Sequence, residues 1–459
     1  MNGDTSLQLQ APRSPWWLIA SFAMVAFAAL AIHVGSGVGS VANVRDEDLM
    51  KVPIDAILDQ GWSVRTAIDY QEVKGPIFFW MYAGPGELTG NSINAMRFIS
   101  MAYFVLGAIA LLLIARRCGI EGARLGIVAL LYILSPYNAF VSQLLMSEPS
   151  FNCLALWGFY AFIRGFHDSR VGAVRWSGPL WFGVLLLLML HHRPHAAALA
   201  GAVALTAMAR DGVRAWPWIA ACVAAGLLRL PLYFRWGGLV TSHYQDVFGL
   251  GVRLDSLAYL LACVLPWTGA WILAPFLCVR ADRLRAWSWI IAAAAAGVLL
   301  GWFACPDLEA KVRYVLPATG EARAAAEYAG ALTTALVKTT QAGILRDMAL
   351  AALAGLGAAS LAGLALMTFR SRSEMQPGEH PALATVKRLS FWTLACGMPL
   401  YIITEGPVYD RYLMVWAMLL PIAWLMSLPR ILLVLQATVH AGMLAWLVQQ
   451  WLMQTGPRG

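Results

Sequence analysis

Residues 45–80 read RDEDLMKVPIDAILDQGWSVRTAIDYQEVKGPIFFW and follow closely after an apolar run at 16–34. The stretch opens with three acidic residues at 46–48 and closes with Lys74, a Gly-Pro pair and an aromatic run. Because the run at 16–34 is long enough to cross a bilayer, these charges lie at a lipid boundary. Ionisable side chains are costly there unless they face water or partners, so the stretch marks a membrane architecture and a candidate functional site.

The composition excludes a soluble globular protein. The chain has 459 residues, of which 60% are hydrophobic and 13% are charged, and its mean hydropathy is +0.64. A soluble domain carries about 25% charged residues. The formal charge of +8 lies mostly in short loops between apolar runs, so it reflects membrane topology rather than nucleic-acid binding. The seven cysteines show no CxxC or Cys/His spacing, so no disulfide framework is predicted.

Apolar runs recur along the whole chain and predict an all-α polytopic membrane protein with about thirteen transmembrane helices. We interpret the run at 16–34 as a retained span, because no small-residue cleavage site in good context follows it and further spans do. Apolar residues at near-helical spacing in 49–58 predict a short amphipathic helix on the membrane surface. The other expected spans are 95–115, 125–140 with a break at Ser135-Pro136, 151–163, a fifth ending at 191, a sixth ending at 210, 216–234, 257–279, 287–303, 348–369, 391–404, a twelfth beginning near 412 and a thirteenth after 430.

The distribution of charge predicts the orientation. With the N-terminus inside, one set of short loops holds most of the arginines, and by the positive-inside rule these loops are cytoplasmic. The other set holds the loop at 35–94, Glu148, the histidines at 191–195 and the turn at 405–411. We therefore expect a multi-pass protein of the inner (plasma) membrane whose acid-rich turns all face outward.

The three acidic residues after the first span are the first candidates for chemistry. A carboxylate can take the proton of a hydroxyl as that oxygen forms a new bond, and Asp46 and Glu47 are placed for this role. The alternative is that Asp46 or Asp48 only caps the surface helix. Lys74 can hold a lipid-linked phosphate or snorkel beside a headgroup. Glu72 can pair with Lys74 or offer oxygen ligands to a divalent cation.

Further candidates lie at later turns on the same side. Glu148 sits between two spans, where an acid needs a partner or caps a helix. Arg193 has the planar fork that suits phosphate oxygens. A metal pair formed by His191 and His195 is disfavoured by the intervening proline and the absence of an HExxH pattern. Three more arginines enter or end spans on the outer side: Arg229, Arg235 and Arg411.

The order of these motifs resembles a known family. An Asp-Glu pair after the first span is followed by the Lys-Gly-Pro-Ile-Phe-Phe-Trp run at 74–80, a Met-Ser-Glu-Pro turn at 146–149, the Arg-Pro at 193–194 and an Asp-Arg-Tyr at 410–412. This layout resembles the GT-C glycosyltransferases, in particular the bacterial relatives of protein O-mannosyltransferases and of lipid A aminoarabinose transferase. It covers nearly the whole chain, and the combination carries the resemblance rather than any one motif.

The resemblance implies a GT-C-like fold and an inverting transfer of a sugar from a polyprenyl-phosphate donor. The acceptor, on the extracytoplasmic face, would be a lipid, a glycan or a protein. The resemblance implies no certain cofactor, and a divalent metal ion is the one candidate. Residues 1–345, with the first outer loop at 35–94, would form the catalytic transmembrane module, and 346–459 the C-terminal transmembrane helices.

The resemblance also implies roles for individual residues. Asp46 is the expected base or acceptor-orienting group, with Glu47 as its companion and Asp48 as an alternative base. Donor phosphate would be bound by Lys74, Arg193, Arg411 and Tyr412. The remaining candidates for acceptor or metal binding are Glu72, Glu148 and His192.

Two other classes of function fit a multi-span chain with these motifs. A flippase or transporter of a lipid-linked sugar would place ionisable residues near the middle of its spans and show paired repeats. The sequence instead clusters its acids on one side and has no repeat at a fixed period. A polysaccharide polymerase or ligase would depend on a large arginine-rich outer loop, of which 305–346 is a modest version.

Overall fold

The computed structural model describes residues 15–37, 45–70, 72, 74–168, 176–242, 251–268, 284–305, 313–315, 322–324, 336, 343–369, 380–402 and 413–455. Its architecture is helical almost throughout. The N-terminal helices are α1 (Trp16–Gly35), α2 (Arg45–Gln60), α3 (Val64–Ile68), α4 (Pro76–Thr89), α5 (Ile93–Arg117), α6 (Ala123–Ile133), α7 (Pro136–Val141), α8 (Ser147–Asp168) and α9 (Ser177–His192). They are followed by α10 (Ala197–Asp211), α11 (Trp216–Trp236), α12 (Leu254–Thr268), α13 (Leu284–Phe303), α14 (Gly343–Thr368), α15 (Pro381–Ile402), α16 (Leu413–Ala417), α17 (Leu420–Trp424) and α18 (Arg430–Thr455).

Six helical stretches in the described ranges are long and apolar enough to cross a membrane, judged by length and composition. They are Trp16–Gly35, Ile93–Arg117, Pro194–Trp236, Arg285–Phe303, Gly343–Thr368 and Arg430–Gln449. Shorter apolar helices lie between them, among them α6, α9 and the pair α16–α17. The multi-pass character predicted from composition is confirmed, whereas the expected count of about thirteen spans stays a prediction.

The stretch Pro194–Trp236 is too long to be one crossing. Its 43 residues would extend about 65 Å as a single helix, against a hydrocarbon core of about 30 Å. The helix breaks at Gly212, whose φ of +55° is accessible to glycine and rare for other residues. The α10 and α11 helices pack against each other across this break. The sequence-based division into two spans around 210–216 matches this hairpin, and the cytoplasmic side of its turn stays a prediction.

Local sequence explains several helix ends near the site. Ser92 caps α5 by accepting a hydrogen bond from the Ala95 amide at 3.2 Å, and two arginines occupy the last turn of that helix. Pro136 opens α7, so the third expected span is broken at the predicted position. The α8 helix begins at Ser147 rather than at 151, which places Glu148 inside its first turn instead of in a separate tight turn.

The amphipathic helix predicted after the first span is present but begins earlier than expected. The α2 helix starts at Arg45 in the described residues, so the acidic residues 46–48 lie within its first turn and do not precede it as caps. Its buried face consists of Met50, Ile54 and Ile57 and packs against α4. The helix is therefore held by packing within the protein.

Two features were not anticipated from the sequence. The aromatic run after Lys74 forms a helix of its own, α4, which starts with Pro76 at its first position. Two three-residue strands, β1 (Arg313–Val315) and β2 (Ala322–Ala324), pair antiparallel within the long loop after α13. The all-α prediction holds apart from this small hairpin.

Candidate active site

Glu47 and Arg97 form a buried ion pair beneath the start of α2. Arg97 donates from Nε to Glu47 Oε1 at 2.8 Å and from Nη2 to Oε2 at 2.6 Å. The Leu145 amide donates to Glu47 Oε1 at 2.9 Å. Neither charged side chain is exposed to solvent. The pair joins α2 and α5 to the segment that leads into α8.

Asp46 and Asp48 flank Glu47 on the same helical turn. Successive residues of a helix point about 100° apart, so an inward Glu47 directs its two neighbours to either side. Asp46 is half-buried and Asp48 is exposed. Of the three predicted catalytic acids, these two are the ones that a ligand arriving from solvent can reach.

Glu72 and Lys74 form the second acid–base pair of the site. Lys74 Nζ lies 3.1 Å from Glu72 Oε1. Of the two roles expected for Glu72, the structure therefore shows the ion pair with Lys74. The Tyr70 hydroxyl donates to the Lys74 carbonyl at 2.7 Å, and the Thr241 hydroxyl donates to the Glu72 carbonyl at 3.2 Å. Burial raises the pKa of Tyr70 well above its ordinary value, so its hydroxyl stays protonated as a donor. The backbone around Lys74 is thus fixed from two sides.

Gly75 brings this segment against the end of α9. Its amide donates to the His192 carbonyl at 2.9 Å. An ideal Cβ at position 75 would lie 1.9 Å from the His191 carbonyl oxygen and 3.3 Å from Arg229 Nη1. Since no real side chain tolerates the first distance, glycine is required for this approach. The Lys-Gly-Pro motif therefore serves a packing role that places Lys74 beside 191–193.

Glu148 and Arg193 form the third pair, between the start of α8 and the end of α9. Arg193 Nη2 lies 2.9 Å from Glu148 Oε1 and also donates to the Ser147 hydroxyl. Both side chains are about nine-tenths buried, and the guanidinium carbon lies 5.9 Å from the Phe151 ring centroid. The partner that a carboxylate between two spans requires is thus Arg193.

His192 is fully buried beside this pair. Its Nε2 lies 2.8 Å from the Ser150 hydroxyl, and its ring packs edge-on to Phe78 at 5.4 Å. His195 packs against aromatic rings, including Phe151 at 5.1 Å. The described ranges hold no group of three or more His, Cys, Asp or Glu side chains that could bind a metal ion. Both histidines pack against buried aromatic rings, and the proposed role of His192 in acceptor or metal binding stays a prediction.

Arg229 is a buried cation at the same place. It lies in α11 with 1% exposure, and its guanidinium carbon is 5.0 Å from the ring centroids of both Tyr233 and Trp236. By hydrogen-bond geometry none of its three guanidinium nitrogens is paired among the residues that the structure describes, and the Tyr233 side chain is its strongest electrostatic neighbour. A buried guanidinium without hydrogen-bond partners is costly. Arg229 Nη1 would lie 3.3 Å from a Cβ at Gly75, so the guanidinium adjoins the segment that carries Lys74.

Comparison with solved structures finds proteins similar to this chain. The chain is similar to ArnT from Cupriavidus metallidurans bound to undecaprenyl phosphate, with 15% identity and a TM-score of 0.47, over 95% of this chain and 78% of ArnT. The apo state of the same protein gives 15% identity and a TM-score of 0.46 over the same shares. An oligosaccharyltransferase from Archaeoglobus fulgidus gives 13% identity and a TM-score of 0.38, over 93% of this chain and 56% of the other.

No protein-family model matches the chain, and no curated protein matches it.

Most of the predicted site residues are brought together. Backbone contacts and ion pairs connect the segments that carry Asp46, Lys74, Glu148 and Arg193 into one region. Arg411 and Tyr412 lie outside the described residues. Arg97 was missed, although an arginine inside the expected span 95–115 is the signal that could have found it. Arg229 carried the same signal and was only a further candidate.

Proposed function

We propose that the chain is a membrane glycosyltransferase that moves a sugar from a polyprenyl-phosphate donor to a hydroxyl group of an acceptor. The observation that carries the proposal is Arg229, a buried guanidinium with unmatched donors that adjoins Gly75. It lies in a chain with helices long and apolar enough to cross a membrane, and the Gly75 that it adjoins directly follows Lys74, the partner of Glu72. A lipid-phosphate donor requires a cation that holds its phosphate, together with a carboxylate that takes the proton of the acceptor hydroxyl.

The cations divide into two roles in this proposal. Arg229 and Lys74 would hold the donor phosphate, because Arg229 offers a bidentate fork and Lys74 a point charge beside it. Arg193 is paired with Glu148 at 2.9 Å, so its first role is to hold that carboxylate in place. It stays a proposed phosphate contact through the guanidinium nitrogens that do not face Glu148.

The carboxylates divide in the same way. Glu47 is bidentate to Arg97 and fully buried, which suits an anchor better than a proton acceptor. Asp46 lies next to that anchor, half-buried, and is the proposed base, with Asp48 as the alternative. In the reaction, Asp46 takes the proton of the acceptor hydroxyl as its oxygen bonds to the anomeric carbon. The bond from that carbon to the phosphate oxygen breaks, and the phosphate leaves as an anion stabilised by Lys74 and Arg229.

Binding of polyprenyl phosphate to the purified chain in detergent tests this assignment. Replacing Arg229 by Gln removes the charge and the fork, so we expect affinity to fall by about tenfold or more, as the loss of one charge-assisted bond of about 1.4 kcal/mol predicts. Thermal stability should hold or rise, because a buried charge without hydrogen-bond partners is removed.

The matched control is Arg235→Gln on the same helix. Arg235 is exposed and pairs with Asp69 at 2.8 Å, so its loss should leave phosphate binding unchanged. Wild-type affinity in Arg229→Gln, or equal losses in both variants, would contradict the phosphate assignment. Translocation of the lipid-linked sugar across vesicles without cleavage would replace the transferase proposal by the transporter alternative.

A further inference from the structure

An apolar groove separates the last turns of α1 from α18, on a face that the candidate site does not use. Its volume is about 630 Å³, within the range of about 300–1,000 Å³ that is usual for ligand sites. Its walls include Ala31 and Ile32 from α1, Leu134 at the end of α6, and Ala445 from α18. The groove is therefore large enough to hold a ligand and almost entirely apolar.

The groove has the polarity of a lipid site. Its polar lining side chains are those of Ser36, directly after α1, and Gln449, in the last two turns of α18. None of its lining residues is charged, which fits a zwitterionic headgroup better than an anionic one. The adjoining surface of α1 is lipid-facing in character, since Phe27 and Val34 are 74% and 70% exposed. The groove thus continues the membrane-facing surface of the chain.

Its length favours an acyl chain over a polyprenyl chain. On α18 the lining runs from Ala441 to Gln449, about 12 Å along the helix axis. One leaflet of the hydrocarbon core is about 15 Å deep. The length of an acyl chain that enters beside Ser36 therefore matches the length of the groove. A long polyprenyl chain would extend well beyond it.

We infer that this groove binds the tail of a zwitterionic diacyl phospholipid from the leaflet on the side where α1 ends. The opposite face of the same α1 turn contacts the site. His33 Nδ1 donates to Gln143 Oε1 at 3.1 Å, and its ring lies 4.4 Å from Phe98. Gln143 stands two residues before Leu145, whose amide binds Glu47. The bound lipid holds the end of α1 against the segment that anchors the acidic turn.

Native mass spectrometry of the full chain, purified in mild detergent, tests the inference without any assay of transfer. Phosphatidylethanolamine is the probe, and we expect one molecule to be retained per chain and a higher thermal midpoint when it is added back. Ala445→Trp fills the groove and should abolish both effects. Ala31→Trp fills it from the other wall and should do the same, so one misfolded variant does not decide the outcome.

The matched control is Ala23→Trp, on an exposed position of α1 two turns before the groove. It should retain the lipid and the shift. Three results would overturn the inference: equal lipid retention in Ala445→Trp and Ala23→Trp, co-purification of a polyprenyl phosphate in the groove, or equal stabilisation by the anionic phosphatidylglycerol. Phosphate binding by Arg229 is measured separately, so failure of one proposal leaves the other standing.

Discussion

Glu47 and Arg97 meet through two hydrogen bonds of 2.8 and 2.6 Å, and neither side chain is exposed. The two residues lie 50 positions apart in the chain. Because the Leu145 amide also binds Glu47, three segments that carry the site converge on one carboxylate. Removing a partner from such a pair leaves a buried charge without compensation, which is far more costly than losing an exposed pair.

Replacing Glu47 by Gln should therefore lower the free energy of unfolding by about 3–5 kcal/mol. Titration with SDS in mixed micelles measures this quantity. The double variant Glu47→Leu/Arg97→Leu should recover part of the loss, since neither charge is then left buried alone. Lys51→Gln is the control, because its pair with Asp55 is partly exposed and contributes about 0–1 kcal/mol. Equal losses in Glu47→Gln and Lys51→Gln would show that the buried pair is not an anchor.

The close approach at Gly75 predicts an unusually severe glycine substitution. An alanine Cβ would lie 1.9 Å from the His191 carbonyl oxygen, so Gly75→Ala must displace the start of α4 or the end of α9. We expect a lower thermal midpoint together with weaker polyprenyl-phosphate binding, because Lys74 moves with the backbone. Gly84→Ala in the same helix meets only Trp62 at 3.9 Å, and it should be neutral or stabilising by up to about 1 kcal/mol. A neutral Gly75→Ala would show that the approach is not required.

The docking of α3 on α11 should depend on pH through Asp69. The hydrogen bond from Arg235 lowers the pKa of Asp69 below its ordinary value, so the folded state favours the charged carboxylate. The pair's contribution is complete above the ordinary aspartate pKa of about 3.9 and is lost as pH falls through the lower folded value. Spin labels at Thr66→Cys and Phe234→Cys should report a constant distance from pH 7 to 5 and separation or broadening below pH 4. Asp69→Asn should remove this pH dependence.

Hydropathy and local sequence signals predict much of the fold, but they predict few of the ion pairs and hydrogen bonds of the candidate site. The spans α1 and α5, the break at Pro136 and the amphipathic α2 follow from apolar periodicity and turn residues, which are local properties of the sequence. The pairs Glu47–Arg97 and Glu148–Arg193 connect distant segments and leave no periodic trace. Only the packing of the helices determines which buried charged side chains pair, so these pairs cannot be predicted from local sequence.

The acidic turn shows the same division. Composition and position single out residues 46–48 as candidates, yet they cannot say which of the three points inward. That choice is made by Arg97, which draws Glu47 into the core and turns its neighbours outward. The helix α4 was missed because residues 77–80 were interpreted only as an aromatic run before the span expected at 95–115.

Sugar transfer from a polyprenyl-phosphate donor in membranes, compared between Asp46→Asn, Asp48→Asn and wild type, tests the central claim most directly. Loss of a positioned base costs about 10²-fold or more in rate. We expect Asp46→Asn to lose activity on that scale while its phosphate binding persists, and Asp48→Asn to keep most of its activity. Full activity in both variants, or no cleavage of the donor by the wild-type protein, would contradict a carboxylate-assisted transfer at this site.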